Sequence, residues 1–142
     1  MNHYGFPQQV RLLTAGDYRN VFDDVTCKVS NRHILLLARE RSTEKNSVDK
    51  NISLQHPRVG LVFSKKNVRL AVQRNRLKRL VRESFRLHQH KLEPLDIVVL
   101  SRPGISELDN QTVTKQLEKL WQRLNKRAIE NKLNNNSEHK RP

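Results

Sequence analysis

The segment from Lys65 to Arg86 combines a high positive charge with the periodicity of an amphipathic helix. Its sequence, KKNVRLAVQRNRLKRLVRESFR, contains nine Lys or Arg and one acid, Glu83. Mostly apolar residues recur at i, i+3, i+4, i+7, i+8 and i+11, the spacing of a buried helix face: Leu77, Leu80, Val81, Ser84, Phe85 and His88. At about 100° per residue, the opposite side carries a polar and cationic row: Asn75, Arg79, Arg82 and Arg86, flanked by Arg76 and Lys78. The pattern predicts a helix that is held by its apolar stripe and presents ordered guanidinium groups.

A solvated helix face is the simplest alternative, because most charge runs have no other role. In such a face the signs alternate at i, i+4 and neutralise each other. Here they do not, and like charges one turn apart repel by roughly 0.2–0.5 kcal/mol per pair. Several cations also lie near the helix start, where the macrodipole disfavours them. We therefore interpret the segment as a surface for a polyanion, with nucleic acid as the favoured partner.

The positive charge is concentrated in one quarter of the chain. The 142 residues include 28 basic and 14 acidic side chains, giving a net charge of +14. Residues 58–91 contain eleven of the basic residues and one of the acidic ones. A diffuse positive charge can reflect solubility alone, whereas a concentrated one is typical of a binding footprint for nucleic acid.

Length and composition favour a single domain in a reducing compartment. A chain of this length can bury one modest core. Cys27 is the only cysteine, which excludes an internal disulfide. The chain has no run of about 18 apolar residues, and its start, MNHYGFPQQVRLL, lacks the apolar core of a signal peptide. We expect a cytoplasmic protein without a membrane partner. A basic helix could lie on an anionic membrane, but this apolar face is no wider than a core-facing stripe.

The remaining periodic segments predict a mixed α and β fold. Thr14 followed by Asp17 resembles a capping box that opens a short helix. Four segments rich in β-branched and aliphatic residues predict strands: Val25–Ser30, His33–Arg39, Arg58–Ser64 and Asp96–Ser101. A final helix begins at about Asp109 or Asn110. Its apolar stripe contains Val113, Leu117, Leu120, Trp121, Leu124 and Ala128. The basic helix therefore lies between two strands.

Two polar segments lack helical or strand periodicity. Residues 41–57, RSTEKNSVDKNISLQHP, predict a long flexible loop between two strands. Residues 131–142, NKLNNNSEHKRP, have the composition of a disordered tail. We expect one domain over residues 1–130, with 41–57 as a loop insertion and 131–142 as a disordered polar tail.

No pattern of catalytic or metal-binding residues is evident. The histidines are scattered, and His88 and His90 are two apart on a helix, so they face different ways. A single cysteine excludes zinc fingers and knuckles. Asp23-Asp24 is the only acidic doublet, and we interpret it as a solvated turn and not as a two-metal nuclease site. We therefore predict no catalytic residue and no metal site in the protein.

Two aromatic residues on the first helix allow two interpretations. Tyr18 and Phe22 are at i and i+4, a spacing that fits ordinary core packing. The same pair could form a stacking platform for unpaired bases, worth about 1–3 kcal/mol per base. The residues alone do not decide between these roles, whereas Phe85 and Trp121 fit core stripes.

Four segments together resemble the protein subunit of bacterial ribonuclease P. The most specific is RNRLKRLVRESFR (Arg74–Arg86), which is similar to the basic signature helix of that family. RVGLVFSKK (Arg58–Lys66), FPQQVRLL near the start and LDNQTVTKQLEKLW before the last helix also match in order and spacing. The resemblance extends from Phe6 to about Arg127.

The resemblance implies a fold and an activity. The fold is α+β, a single α-β-β-β-α-β-α two-layer sandwich of the type seen in the second domain of ribosomal protein S5. Its left-handed βαβ crossover contains the basic helix, although crossovers are right-handed in about 98% of cases. In the family a catalytic RNA removes the 5′ leader of precursor tRNA with Mg²⁺ bound to the RNA. The protein, one per RNA, binds that RNA and the leader and broadens the substrate range.

The resemblance also implies two sets of site residues. The set expected to bind phosphates of the catalytic RNA is Lys65, Lys66, Arg74, Asn75, Arg76, Lys78, Arg79, Arg82 and Arg86. The set expected to form the cleft for the leader has Tyr18 and Phe22 as walls and Leu37 and Val62 as floor. Leu37 stands where relatives have an aromatic residue.

Three other classes of protein share part of this pattern. A ribosomal protein would show the same basicity and would bind RNA without turnover. An autonomous endonuclease would cleave without RNA, but the missing carboxylate cluster argues against it. A transcription factor with a basic recognition helix would prefer duplex DNA.

Overall fold

A computed structural model describes residues 12–40 and 56–139, with side chains up to residue 134. The elements are helix α1 (Ala15–Asp23), strands β1 (Cys27–Ser30), β2 (Ile34–Glu40) and β3 (Arg58–Val62), helix α2 (Ala71–His88), strand β4 (Leu95–Ser101) and helix α3 (Asn110–His139). Short 3₁₀ turns cover Gln89–Lys91 and Ile105–Glu107. The predicted α-β-β-β-α-β-α order is confirmed, with strand limits that differ by one or two residues. The predicted loop at 41–57 lies outside the described residues up to position 55.

The strands form one mixed sheet in the order β1-β2-β4-β3. Strands β1 and β2, and β2 and β4, are antiparallel, while β3 and β4 are parallel. A parallel pair requires a long crossover connection, and helix α2 lies within this one. The sheet with α2 and α3 on one face forms the α+β sandwich, and α1 covers part of the other face.

The main core lies between the sheet and helices α2 and α3. The predicted buried face of α2 is confirmed at Leu77, Val81, Ser84 and Phe85, whereas Leu80 and His88 are half-buried. The ring centroids of Phe85 and Trp121 are 5.8 Å apart in an edge-to-face arrangement. Trp121 Nε1 donates a hydrogen bond of 2.9 Å to Ser84 Oγ, which explains why a serine stands in the apolar stripe.

Helix α3 runs along the outer edge of strand β1 and donates hydrogen bonds to its backbone. Three side chains one helical turn apart reach three alternate carbonyl oxygens of the strand segment. The donor–acceptor pairs are Arg123 with Ser30, Arg127 with Lys28 and Asn131 with Thr26, at 3.3, 3.3 and 2.9 Å. Four residues of helix rise about 6 Å and two residues of strand about 6.6 Å, so the two repeats stay in step.

The prediction of a disordered tail from residue 131 is wrong at its start, because α3 continues to His139. Asn131 contacts the edge of β1, and Lys132 Nζ lies 2.9 Å from Glu93 Oε1. Polar residues with partners of this kind extend a helix even where composition alone suggests disorder. No helix in the described part of the chain is long and apolar enough to cross a bilayer.

Candidate nucleic-acid interface

Helix α1 is fixed at its start and packs on the face of the sheet opposite α2 and α3. The predicted capping box is present: Thr14 N donates to Asp17 Oδ2 at 3.0 Å, and Asp17 N donates to Thr14 Oγ1 at 3.3 Å. Val21 is fully buried against Leu13 of the preceding segment and Val98 of β4. This second, smaller core holds α1 against part of that face of the sheet.

Three of the four predicted cleft residues pack together around this small core. Tyr18, Leu37 and Val62 contact its buried members and remain half-buried. Phe22, one turn beyond Tyr18, is 46% exposed and is not part of this cluster. Three of the four residues that the family resemblance implies therefore lie together, and the two aromatic residues have different surroundings.

The ring of Tyr18 is seated on strand β3. Leu61 N donates a hydrogen bond of 2.8 Å to the Tyr18 hydroxyl. A Cβ atom on Gly60 would come within 2.5 Å of a ring carbon of Tyr18, so only glycine leaves room for the ring. Tyr18 is therefore fixed against β3, while Phe22 is largely exposed.

A network of charged groups ties α1 to strands β3 and β4. Arg58 donates two hydrogen bonds of 2.8 Å to the carboxylate of buried Asp96 and one of 3.0 Å to Asp17 Oδ2. The hydrogen bonds that Arg58 donates to Asp96 raise the pKa of Arg58 above its usual value. Burial alone would raise the pKa of Asp17, but hydrogen bonds from Thr14 and the charge of Arg58 hold that pKa below its ordinary value.

Arg58 and Gly60 position α1 and Tyr18 on β3, and the sequence analysis assigned neither of them to the site. They alternate with Val62 along β3, so all three lie on the same face of the strand. This period of two was the available signal. The period of two indicates a role for Arg58 and Gly60 only after Val62 has been assigned to the site. Arg58 can then be considered as a partner for an acid on α1.

The basic face of α2 is open to solvent at its centre. Asn75 and Arg79 are exposed, and Lys78 and Arg82 are half-exposed. The Nε atom of Arg82 is itself buried and has no hydrogen-bond partner in the described part of the chain. Lys65 and Lys66 are exposed in the turn that follows β3. These six residues form a cationic surface, here called the α2 face.

Arg74 and Arg86 form hydrogen bonds within the protein. Arg74 Nη1 donates to the carbonyls of Val68 and Arg69 at 2.9 and 3.0 Å, closing the turn before α2. Arg86 lies 2.6 Å from Glu83 in an ion pair. Both side chains thus support the helix as well as contributing to its positive field.

Arg76 joins the start of α2 to the segment before α3. Its guanidinium donates to the carbonyls of Leu108 and Ser106 at 3.1 and 3.3 Å, to Gln73 Oε1 at 2.9 Å, and to Asn110 Oδ1. Helical periodicity places Arg76 beside the cationic row, but its guanidinium is engaged by these contacts within the protein. Three of its partners, Ser106, Leu108 and Asn110, lie 30 to 34 residues away along the chain, so the helical wheel could not indicate them.

The α2 face and the cluster around Tyr18 lie on opposite sides of the sheet. Guanidinium groups bind phosphate oxygens with forked donors, and an exposed aromatic ring next to an apolar floor can stack an unpaired base. Within residues 12–40 and 56–139, no three His, Cys, Asp or Glu side chains converge as metal ligands. The arrangement is suited to binding RNA in two places.

Comparison with known proteins agrees with this chemistry. The family model described as ribonuclease P matches residues 6–125. The ribonuclease P protein component of Chromohalobacter salexigens is 53% identical over 126 residues, 89% of this chain and 90% of that protein. The Pseudomonas aeruginosa protein of the same name is 53% identical over 119 residues, 84% of this chain and 80% of that protein. The solved RNase P protein from Thermotoga maritima has a TM-score of 0.64 at 30% identity and covers 80% of this chain and 96% of that one. This chain belongs to the ribonuclease P protein family.

Proposed function

We propose that this chain, as the RNA-binding protein subunit of ribonuclease P, assists a catalytic RNA in removing the 5′ leader from precursor tRNA in the cytoplasm. Membership of the family gives the subunit and its partnership with ribonuclease P RNA. The proposal adds that the RNA is the catalyst, that it holds the Mg²⁺ ions, that precursor tRNA is the substrate and that one protein binds one RNA.

The observation that supports this division of labour is the placement of two chemically different surfaces on opposite faces of one sheet. On the α2 face, Arg79 and Arg82 form no ion pair with an acid in the described part of the chain. Neutralising RNA phosphates there releases counterions, which provides sequence-independent affinity. We assign the α2 face to the catalytic RNA. Cations on this face reduce the repulsion between the catalytic RNA and the precursor tRNA, which are both polyanions.

The cleft beside α1 is assigned to the single-stranded leader. Leu37 and Val62 provide an apolar floor, Tyr18 a fixed wall, and Phe22 an exposed ring. Stacking on an aromatic ring is tolerant of sequence because every base has a π-face. Such a cleft therefore accepts leaders of different sequence, which broadens the substrate range.

The protein residues in this proposal bind and orient RNA, and none of them handles a proton or an attacking water. Mg²⁺ bound to the RNA supplies the hydrolytic chemistry. Arg58 and Asp17 hold α1 at a fixed distance from β3, so the leader cleft is formed before the substrate arrives. The protein thus adds binding energy and position to a reaction performed by the RNA.

Single-turnover cleavage of precursor tRNA by the reconstituted complex tests the two assignments separately. Arg79→Gln with Arg82→Gln should weaken binding of the catalytic RNA and lower the salt slope by roughly 0.7–0.9 per lost phosphate contact. Phe22→Leu should leave that binding unchanged and weaken affinity for precursor tRNA by about 1–3 kcal/mol, with mature tRNA unaffected.

Leu87→Ala is the matched control for Phe22, because Leu87 is a comparably exposed apolar residue on α2. It should change neither affinity. Protein without RNA should not cleave at any Mg²⁺ concentration. Accurate cleavage by the protein alone would refute the catalytic role of the RNA, and equal losses for precursor and mature tRNA would refute the leader cleft.

A further inference from the structure

A second cationic surface lies beside helix α3, on the flank that faces strand β1 and away from α2. Helix α3 packs against α2 on one flank and against β1 on the other. On the β1 flank, a pocket of about 430 Å³ lies between α3 and the turn that connects β1 to β2. This pocket, here called the turn pocket, is lined by Asn31, Arg32, His33, Gln116, Lys119 and Arg123, with Leu120 at its base.

The turn that forms the pocket is held rigidly by Asn31. Its side-chain oxygen accepts hydrogen bonds from His33 N and Ile34 N at 2.9 and 2.8 Å. Its side-chain nitrogen donates to Gln116 Oε1 at 3.0 Å, which fastens the turn to α3. Arg102, after β4, donates through Nη1 to Asn31 O at 3.2 Å and through its backbone N–H to His33 O at 3.0 Å. The pocket is therefore organised without a ligand.

Three cations line the pocket and a fourth, Arg102, donates to its turn. None of the four forms an ion pair within the described part of the chain. Arg32, Lys119, Arg123 and Arg102 are all exposed. A guanidinium has five N–H donors, and Arg123 and Arg102 each use one on a turn carbonyl. Like charges gathered on a rigid frame repel one another, and a bound anion would relieve that repulsion.

The chemistry of the pocket favours phosphate on a nucleic acid over a lipid headgroup. Forked guanidinium donors match phosphate oxygens. A membrane surface would need exposed apolar side chains next to the cations, but the apolar residue at this site, Leu120, is only 1% exposed. The volume falls within the range of small-ligand pockets, so a phosphate with part of its sugar can enter.

We infer that the turn pocket is a second phosphate-binding site for RNA, separate from the α2 face. This inference rests on the RNA-binding function proposed above. Because α3 stands between the two surfaces, the RNA segment held at the turn pocket differs from the one held on α2. The segment belongs to the catalytic RNA or to the body of the precursor tRNA, and both present the same phosphate chemistry.

Arg32→Gln combined with Lys119→Gln tests the site in the full chain, because no described hydrogen bond involves either side chain. The melting temperature should stay unchanged. Affinity for RNA should fall about tenfold, the equivalent of one charged hydrogen bond, and the salt slope by roughly 1.5 units. Hydroxyl-radical footprints on catalytic RNA alone and on precursor tRNA alone identify which RNA loses a protected segment.

Two comparison variants make the result decisive. Lys91→Gln with Lys126→Gln removes the same charge from the α2 flank of α3, and it should have a smaller effect and leave the footprint intact. Arg79→Gln with Arg82→Gln should release a different RNA segment. Equal losses in the turn-pocket pair and the Lys91–Lys126 pair, or an unchanged footprint in the turn-pocket pair, would overturn the second site. If Arg79→Gln with Arg82→Gln changed neither the affinity for RNA nor the footprint, that result would instead count against the proposed function.

Discussion

At the scale of single residues, Arg58 is the side chain on which the leader cleft most depends. It bonds one buried carboxylate within the sheet and a second carboxylate that also caps α1. Removing one partner from a buried ion pair costs about 3–5 kcal/mol, because the other charge is left without compensation. The position of Tyr18 over Gly60 therefore depends on a charged network as well as on apolar contact.

The lowered pKa of Asp17 gives this network a defined pH dependence. A carboxylate whose pKa is lower in the folded state stabilises the fold above its unfolded pKa, near 3.8, and loses that contribution as pH falls through the folded pKa. Asp17→Asn should lower the free energy of unfolding at pH 7 by about 1–2 kcal/mol. Urea denaturation at several pH values should show this difference shrinking below about pH 4.

Asp23→Asn is the matched control, because Asp23 is an exposed residue of the same helix without an ion pair in the described structure. It should change stability little at any of these pH values. A difference between wild type and Asp17→Asn that persists unchanged at pH 2 would mean that the Asp17 charge does not stabilise α1.

At the scale of elements, the packing interface between α2 and α3 contains one polar contact, the Trp121–Ser84 hydrogen bond, inside an apolar core. Ser84→Ala removes the acceptor of the Trp121 indole N–H, which lies in a fully buried position. An unsatisfied buried donor costs about 1–3 kcal/mol. Thermal denaturation should show a loss of that size, while Ser106→Ala, at a half-buried residue of the Ile105–Glu107 turn whose side chain makes no described hydrogen bond, should be nearly neutral. A neutral Ser84→Ala would show that the indole finds another acceptor.

Sequence periodicity predicted the elements well because it reports burial within one helix or strand. The stripe from Leu77 to Phe85 identified the buried face of α2, and the Thr14 capping box identified the start of α1. The same reasoning failed for Arg76 and Asn131, whose partners lie on distant parts of the chain. A helical wheel shows which direction a residue faces, but the neighbouring element decides whether solvent or a carbonyl oxygen is found there.

The candidate site was predictable to a different extent on its two surfaces. Tyr18, Leu37 and Val62 could be assigned to one cleft through resemblance to a family, and the structure brings them together. The residues that build the cleft, Arg58 and Gly60, carry no motif of their own. Positioning residues of this kind are difficult to recognise because their role appears only when two elements are packed against each other.

At the scale of the whole molecule, the sheet has an outer edge at β1 that α3 covers. An uncovered strand edge is a template for pairing with another chain. Arg123→Ala, Arg127→Ala and Asn131→Ala together should remove the three side-chain donors at this edge and produce concentration-dependent association in sedimentation velocity. The matched triple Lys115→Ala, Gln122→Ala and Lys126→Ala lies on exposed positions of the same helix and should remain as monomeric as wild type. Equal association of both triples would show that the edge is protected by something other than these side chains.

Because α3 covers the edge of β1, that edge is protected from misassembly during translation only after α3 has been synthesised. Strand β1 leaves the ribosome first, and its covering residues follow 93 to 105 residues later. The growing polypeptide therefore exposes an open edge until α3 has been synthesised, at a stage when neighbouring nascent chains on the same messenger are close by. The high positive charge of residues 58–91 helps to keep such chains apart, because their mutual repulsion begins once this segment has been synthesised.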